Sequence, residues 1–410
     1  MTWTLRRSDR LRALPPFLFN QIDDAKRAAI AAGKDVINLG VGDPDRPTPA
    51  FVIDAMNDAI RLPANHQYPD GYGTRRFLDA AARFMQRRFG VNVDPARHLV
   101  ALIGSKDGIS NLPLGLVNPG DGVLVFAPAY PVYAAGTILA GGTVHRIETT
   151  PANGWRPDFA AIGPPARDAR LMWLNFPGNP TGAVADAPFF DRAIAFAAAS
   201  SPPPPPQRNP MIVASDLAYS EIYFDESKPI ASLWQAPSAN LDHTPAIEFH
   251  SLSKTFNMTG WRIGFAVGHE QVIAALKQVK DNYDSGPFNA IQNAAAVALD
   301  RFDDPEIAGV RSIYRERRDL VINALRKLGC DAHAPQAGIF VWSPCPRDPD
   351  TGSPMDSWRF ARRLIEEAGV VTVPGAGFAE SASQWFRVSL TRETARIAEA
   401  MHRLGAIRWS

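Results

Sequence analysis

The sequence predicts an α/β protein built on a mostly parallel sheet, and three observations carry that reading. Short apolar runs alternate with alanine-rich stretches of helical period, so strands and covering helices succeed one another along the chain. Proline and glycine punctuate the joints, as in Phe176-Pro-Gly-Asn179-Pro-Thr-Gly182. After about residue 290 the pattern changes to a long charged helix followed by strand-like runs, which reads as a second, smaller α+β unit.

Taken in order, helices are expected at Ala50 to Ile60 and Thr74 to Phe89, then strands at His98 to Gly104 and Gly122 to Phe126. Leu171 to Asn175 is the next strand, and Pro188 to Ala199 the next helix. The low-complexity run Ser200-Ser-Pro-Pro-Pro-Pro-Pro206-Gln separates that helix from the strand Met211 to Ser215. It reads as a stiff surface loop, with a ligand for a proline-recognition module as the alternative. Strands at Ala246 to His250 and Ile263 to Val267 and a helix from Gln271 to Lys280 follow. Beyond them come a helix around Ile313 to Leu328, the run Gly338-Ile-Phe-Val-Trp342, another helix, and Trp385-Phe-Arg387-Val-Ser. No internal repeat is evident.

Composition excludes several classes. With 410 residues, 46% of them hydrophobic, the chain can bury a large core and divide in two. Its 43 Lys plus Arg against 42 Asp plus Glu imply no charge-driven attraction to nucleic acid or to an anionic membrane. No apolar stretch is long enough to span a bilayer. The two cysteines, Cys330 and Cys345, lack metal-ligand spacing, so neither a metal site nor a disulfide framework is expected, and a reducing cytoplasm is the simpler assumption. Arg6, Arg7, Arg10 and Arg12 do not make a targeting peptide: Asp9 interrupts them and no apolar signal core follows.

The chemistry concentrates in Ser251-Leu-Ser-Lys254-Thr-Phe-Asn-Met-Thr-Gly-Trp-Arg262. A lysine just after two serines, with an arginine two helical turns on, supplies what an aldehyde cofactor with a phosphate tail requires: an uncharged amine, hydroxyl donors and a permanent bidentate cation. Pyridoxal 5'-phosphate is such a cofactor. Alone, a lysine beside serines is more often a solvated surface residue. Upstream, however, a buried-strand pattern ends in Asp216 with Tyr219 close behind, and another strand leads into Asn179. By itself Asp216 would read as a helix cap and Asn179 as a loop residue. The ordered set Asn179, Asp216, Tyr219, Lys254, Arg262 makes the joint reading.

On those residues the chain resembles the class I/II aminotransferases of the fold type I pyridoxal-phosphate enzymes, over nearly its whole length. Within them it is most similar to the LL-diaminopimelate aminotransferases, through Asn38-Leu-Gly-Val-Gly42-Asp-Pro-Asp, Ile103-Gly-Ser-Lys106-Asp-Gly108, Pro128-Ala-Tyr130-Pro-Val-Tyr133 and Phe249 to Gly264. The resemblance implies a large domain, residues 47–290, with a mostly parallel seven-stranded sheet, and a small α+β domain made of residues 1–46 together with 291–410.

It also implies roles. Lys254 bonds the cofactor and shuttles a proton between two carbons; Asp216 keeps the pyridine nitrogen protonated; Tyr219 and Asn179 hydrogen-bond the ring's 3'-oxygen. Tyr130 lies over the ring. Ser105, Lys106, Ser251, Ser253 and Arg262 hold the phosphate. Arg387 takes the substrate's α-carboxylate, with a backbone contact from Gly42. Tyr68 and Asn289 reach the site of a neighbouring subunit, which makes the active unit a homodimer with shared sites.

Lys106 and the first loop are candidates for the far end of diaminopimelate. Two departures bear on that end: Phe17 stands where relatives commonly have a tyrosine, and Tyr68-Pro-Asp-Gly71-Tyr-Gly73 lacks an acid at the place some relatives use, with Asp70 one position earlier. The expected activity is amino-group exchange between an amino acid and a 2-oxo acid, with LL-2,6-diaminopimelate and 2-oxoglutarate first and lysine biosynthesis as the setting. An aromatic, methionine or alanine donor is the alternative, then a carbon-sulfur lyase with the same cofactor cup. A cofactor-sensing transcription regulator comes last, because the start of the chain is too short for a DNA-binding domain.

Overall fold

A computed structural model describes residues 3–15, 19–200, 210–348 and 351–407. Phe17 and the Pro202 to Pro206 run lie outside the described residues. The large sheet has seven strands: β1 Leu99–Leu102, β2 Gly122–Ala127, β3 Thr143–Glu148, β4 Leu171–Asn175, β5 Ile212–Asp216, β6 Ala246–Ser251 and β7 Gly264–Gly268. Their order is β1-β7-β6-β5-β4-β2-β3. β7 runs antiparallel to both its neighbours, and the other pairs are parallel, as expected for the fold.

The expected strands occupy this sheet, and β3 was not among those foreseen. It is an edge strand reading Thr-Val-His-Arg-Ile-Glu, with no fully buried position. An edge that faces solvent needs no apolar run, so periodicity passes over it. The central strands and β1, at the other edge, are largely buried on both faces, and their side chains alternate between two cores. Leu99 and Ala101 join Phe77, Phe84 and Phe265 on one face; Val100 and Leu102 join Ile109, Trp173 and Phe249 on the other.

The helices expected at Ala50 to Ile60, Thr74 to Phe89, Pro188 to Ala199 and Gln271 to Lys280 are present as Ala50–Ile60, Arg75–Phe89, Ala187–Ala199 and Glu270–Tyr283. Arg75–Phe89 shows why its limits were legible. The Thr74 hydroxyl accepts from Phe77 N, and Gly90 ends the helix at φ 72. Ser105–Leu116 is helical from the strand-to-helix passage at Ser105 and Lys106, although Gly108, Pro113 and Gly115 all disfavour a helix. Packing overrides that preference: Ile109 and Leu112 are buried against the sheet.

In the smaller unit, Val373–Pro374, Trp385–Ser389 and Phe340–Pro344 form an antiparallel three-stranded sheet in that order. The amino-terminal segment joins this unit through a separate two-stranded sheet, Ile37–Asn38 pairing parallel to Val370–Val371. Helix Asn289–Asp300, which a division at residue 290 assigns to the small unit, buries Ala294, Ala295 and Leu299 in the core that also holds Phe77 and Phe84. Helix Pro305–Lys327 begins with Ile307 in that core and continues with Tyr314 and Val321 in the other unit. Among the described residues no helix is long and apolar enough to cross a membrane, and no cluster of side chains is suited to a metal ion.

Candidate active site

Parallel strands end together, and here their ends carry polar residues where open α/β sheets hold ligands. Asn175 is the last residue of β4 and Asp216 the last of β5, paired in register. The Asn175 amide donates to the Asp216 carbonyl at 2.9 Å and accepts from Asn179 N at 2.8 Å, so the Asn179 turn is anchored to the strand ends. Lys254 lies on the short helix Leu252–Thr255 that follows β6. These side chains face one cavity of about 300 Å³.

At one end of the cavity sits Asp216, 5% exposed. Burial raises its carboxyl to about 6, against a hydrogen bond from the Tyr133 hydroxyl to Oδ2 at 2.7 Å that lowers it. The Ala218 amide nearby also lowers it, but no group meets Oδ1 with hydrogen-bond geometry, and that oxygen is buried. Tyr133 is itself held flat against Trp173, ring centroids 5.0 Å apart. Tyr219 and Tyr130 line the same cavity, and burial raises both phenols above the ordinary value, so both keep their protons.

Lys254 Nζ donates to the Gly42 carbonyl at 2.6 Å. Burial lowers its amine to about 8; Asp43 opposes that shift, while Arg262 and Arg387 add to it. Arg387, 3% exposed, donates to Asn179 Oδ1 at 2.6 Å and to the Gly40 carbonyl at 2.7 Å, and its Nε has no partner. Its guanidinium lies 4.0 Å from the Phe340 ring centroid. Burial lowers it to about 10, which leaves it cationic at neutral pH. The strap Gly40 to Asp45 therefore offers two carbonyls to two cavity cations. It is fixed by Thr391 Oγ1 donating to Val41 O at 2.8 Å, Thr259 Oγ1 donating to Asp43 at 2.7 Å, and a buried Arg317–Asp45 pair at 2.7 Å.

The opposite end suits an anion. Ser105 and Lys106 open the helix Ser105–Leu116, whose first amides are free of a side-chain cap. Ser251, Ser253 and Arg262 close the other side of the cavity. Arg262 adopts φ 57, unusual for a residue with a side chain, and donates to Thr259 O at 2.8 Å and to Ser253 Oγ at 3.4 Å. Gly104 is required here. At φ 75, an added Cβ would lie 2.2 Å from Arg262 Nη2.

The cavity thus gathers Gly42, Ser105, Lys106, Tyr130, Asn179 and Asp216 with Tyr219, Ser251, Ser253, Lys254, Arg262 and Arg387. Tyr68 and Asn289 do not line it. Tyr68 is 90% exposed, and Asn289 donates to Gln67 O at 3.4 Å while its Oδ1 is buried without a partner. Phe17 is outside the described residues. Sequence reasoning missed Tyr133, Asp43, Asn175, Thr259 and Phe340. All five stood inside quoted runs with no job assigned; Phe340, on a strand of the other unit, was read only as part of a strand.

A family model for aminotransferase class I and II matches residues 34–404. The chain belongs to that family. The LL-diaminopimelate aminotransferase of Desulforudis audaxviator is 46% identical over 399 residues, 96% of each chain. That of Aquifex aeolicus is 44% identical over 398 residues, covering 97% of this chain and 98% of its own. Among solved structures, an aminotransferase from Staphylococcus aureus superposes with TM-score 0.85 at 31% identity, over 97% of this chain and 98% of its own. The N-succinyldiaminopimelate aminotransferase of Mycobacterium tuberculosis superposes with TM-score 0.84 at 28% identity, over 97% and 99%. Aminotransferases of this family work with pyridoxal 5'-phosphate, and so does this one. The residues present fit that cofactor: Asp216 Oδ1 is a buried acceptor awaiting a donor, Lys254 is a lysine of lowered basicity, and the Gly104 turn leaves room beside a cation.

Proposed function

We propose that this aminotransferase exchanges an amino group between LL-2,6-diaminopimelate and 2-oxoglutarate in two half-reactions, as a step of lysine biosynthesis. One observation carries the choice of substrate: the likeness to enzymes named for it extends over 96% or more of the chain at 44 to 46% identity. A second reading, another amino donor, is favoured by the departures at Phe17 and in the Tyr68 to Gly73 loop.

When bound, the cofactor supplies an aldehyde for the substrate nitrogen and a ring that accepts the electrons released at Cα. Everything else falls to the chain. Asp216 would hold the ring nitrogen protonated through Oδ1, while Tyr133 occupies Oδ2 and so fixes the carboxylate plane. Tyr219, Asn179 and Tyr130 line the cavity beside Asp216 and would hold the ring there, the first two as donors to its 3'-oxygen. Ser105, Lys106, Ser251, Ser253 and Arg262 hold the phosphate. Lys254, its charged form disfavoured by burial, takes the Cα proton on Nζ and returns it one carbon away. Arg387 meets the α-carboxylate with its planar fork, with Gly42 beside it. Asn179, already bonded to Arg387, ties the carboxylate end to the ring end.

Tyr68 and Asn289 serve the site of a second copy, so the working unit is a homodimer; an aromatic left 90% exposed is a ring that a partner would cover. Both cysteines are free and buried, which suits a reducing cytoplasm. The deciding experiment is a panel of amino donors with 2-oxoglutarate, scored by half-reaction rate. LL-diaminopimelate should lead, with glutamate its one serious competitor. Indifference to it alongside rapid turnover of an aromatic, methionine or alanine donor overturns the substrate and leaves the transaminase. Pyruvate or ammonia from cystathionine would move the reading to a lyase.

A further inference from the structure

Lys280 is 1% exposed, a burial that lysine tolerates only with partners, and it does not line the cavity. From helix Glu270–Tyr283 its amine donates to Asp107 Oδ2 at 2.9 Å and to the two oxygens of Asp284 at 3.0 and 2.9 Å. Asp107 is the third residue of the helix that Ser105 and Lys106 open. Its Oδ2 also accepts from Ile103 N at 2.9 Å, and its Oδ1 accepts from Asn111 Nδ2 at 2.7 Å. The carboxylate therefore closes the turn from Ile103 to Asp107, the turn that presents the free amides of the anion end and holds Gly104 against Arg262.

The other side of the amine is equally fixed. Asp284 accepts from Gly286 N at 2.7 Å, and Gly286 sits so close to the Tyr68 to Gly73 loop that an added Cβ would lie 3.0 Å from Gly71 Cα. Lys280 thus cannot swing away from Asp107 without loosening a second loop.

We propose that Lys280 is a positioning residue for the phosphate end of the cofactor site, acting through Asp107. It holds the turn that aims the Ser105 and Lys106 amides. It also neutralises a carboxylate that would otherwise set a bare negative charge in the first turn of a helix meant to receive a dianion. This rests on placing the phosphate at Ser105, Ser253 and Arg262.

The test compares binding of pyridoxal 5'-phosphate and of pyridoxal, which lacks the phosphate, to the apoprotein by absorbance titration. Lys280→Met should raise the Kd for pyridoxal 5'-phosphate about tenfold or more and leave that for pyridoxal within about twofold. Because removing the amine leaves two buried carboxylates facing each other, the double variant Lys280→Met with Asp284→Asn accompanies it. Wild type sets one cation against two carboxylates and the double variant none against one, so the net charge is the same while the link and the cation facing Asp107 are lost. The same loss of phosphate preference is expected. A folded variant of either kind that keeps the wild-type preference, or that weakens both ligands alike, overturns the role of Lys280. Arg262→Ala is the separate check on the placement: if it keeps the preference for the phosphate, the phosphate lies elsewhere and that earlier reading fails.

Discussion

Cofactor capture should depend on pH through one amine. Only the uncharged form of Lys254 can attack an aldehyde, and burial lowers its pKa from 10.5 to about 8. At pH 7 the uncharged share is then roughly one in ten, against roughly one in 3,000 for a solvated lysine, a gain of roughly 300-fold. Mixing the apoprotein with pyridoxal 5'-phosphate in a stopped-flow spectrometer, from about pH 6 to about pH 10, should give a rate that rises and levels with a midpoint near the lysine's. Asp43 is the charge that opposes the lowering, so Asp43→Asn should move the midpoint down and speed capture at neutral pH. Lys254→Ala should show no covalent capture at any pH. A wild-type midpoint near that of a free lysine, or an upward shift in Asp43→Asn, would refute the account of how burial and Asp43 set this amine.

Three further outcomes are expected. Asp216→Asn should stabilise the apoprotein by roughly 1–3 kcal/mol at neutral pH while removing turnover. A carboxyl raised from 3.8 to about 6 carries a penalty that is absent below the lower value, grows between the two and is complete above the higher, so melts near pH 4 and pH 8 should show the difference only at the higher pH. Gly104→Ala should weaken cofactor binding by at least tenfold, measured by dialysis, since its Cβ would displace the Arg262 guanidinium and force a positive φ on alanine. Arg387→Lys keeps the charge but loses the planar fork, and should cost about 2 to 4 kcal/mol in kcat/KM for every α-amino acid donor alike; a loss confined to one donor would place the α-carboxylate elsewhere.

Much of the site was legible before any fold was known, because the chemistry restricts residue type. An amine for an aldehyde, an acid for a ring nitrogen and a guanidinium for a phosphate can each be filled by few side chains. Their order Asn179, Asp216, Tyr219, Lys254, Arg262 follows the strand ends that deliver them. Helix limits at Thr74 and Gly90 were likewise local, written in a cap and a left-handed stop.

Contacts between residues distant along the chain were decided by tertiary structure alone. Tyr133 meets Asp216 because Trp173 holds its ring, and Lys280 meets Asp107 because two helices pack side by side on one face of the sheet. The strap at Gly40 to Asp45 presents carbonyls to Lys254 and Arg387 only once Arg317 and Thr259 pin it from two units. β3 shows the same limit in the backbone: a strand that faces solvent is stabilised by its neighbour's hydrogen bonds, and its own side chains carry no trace of them. Local composition records what a residue can do and how its immediate neighbours bend. Which partner it finds depends on packing that brings together parts of the chain far apart in sequence, and no short window of sequence contains that information.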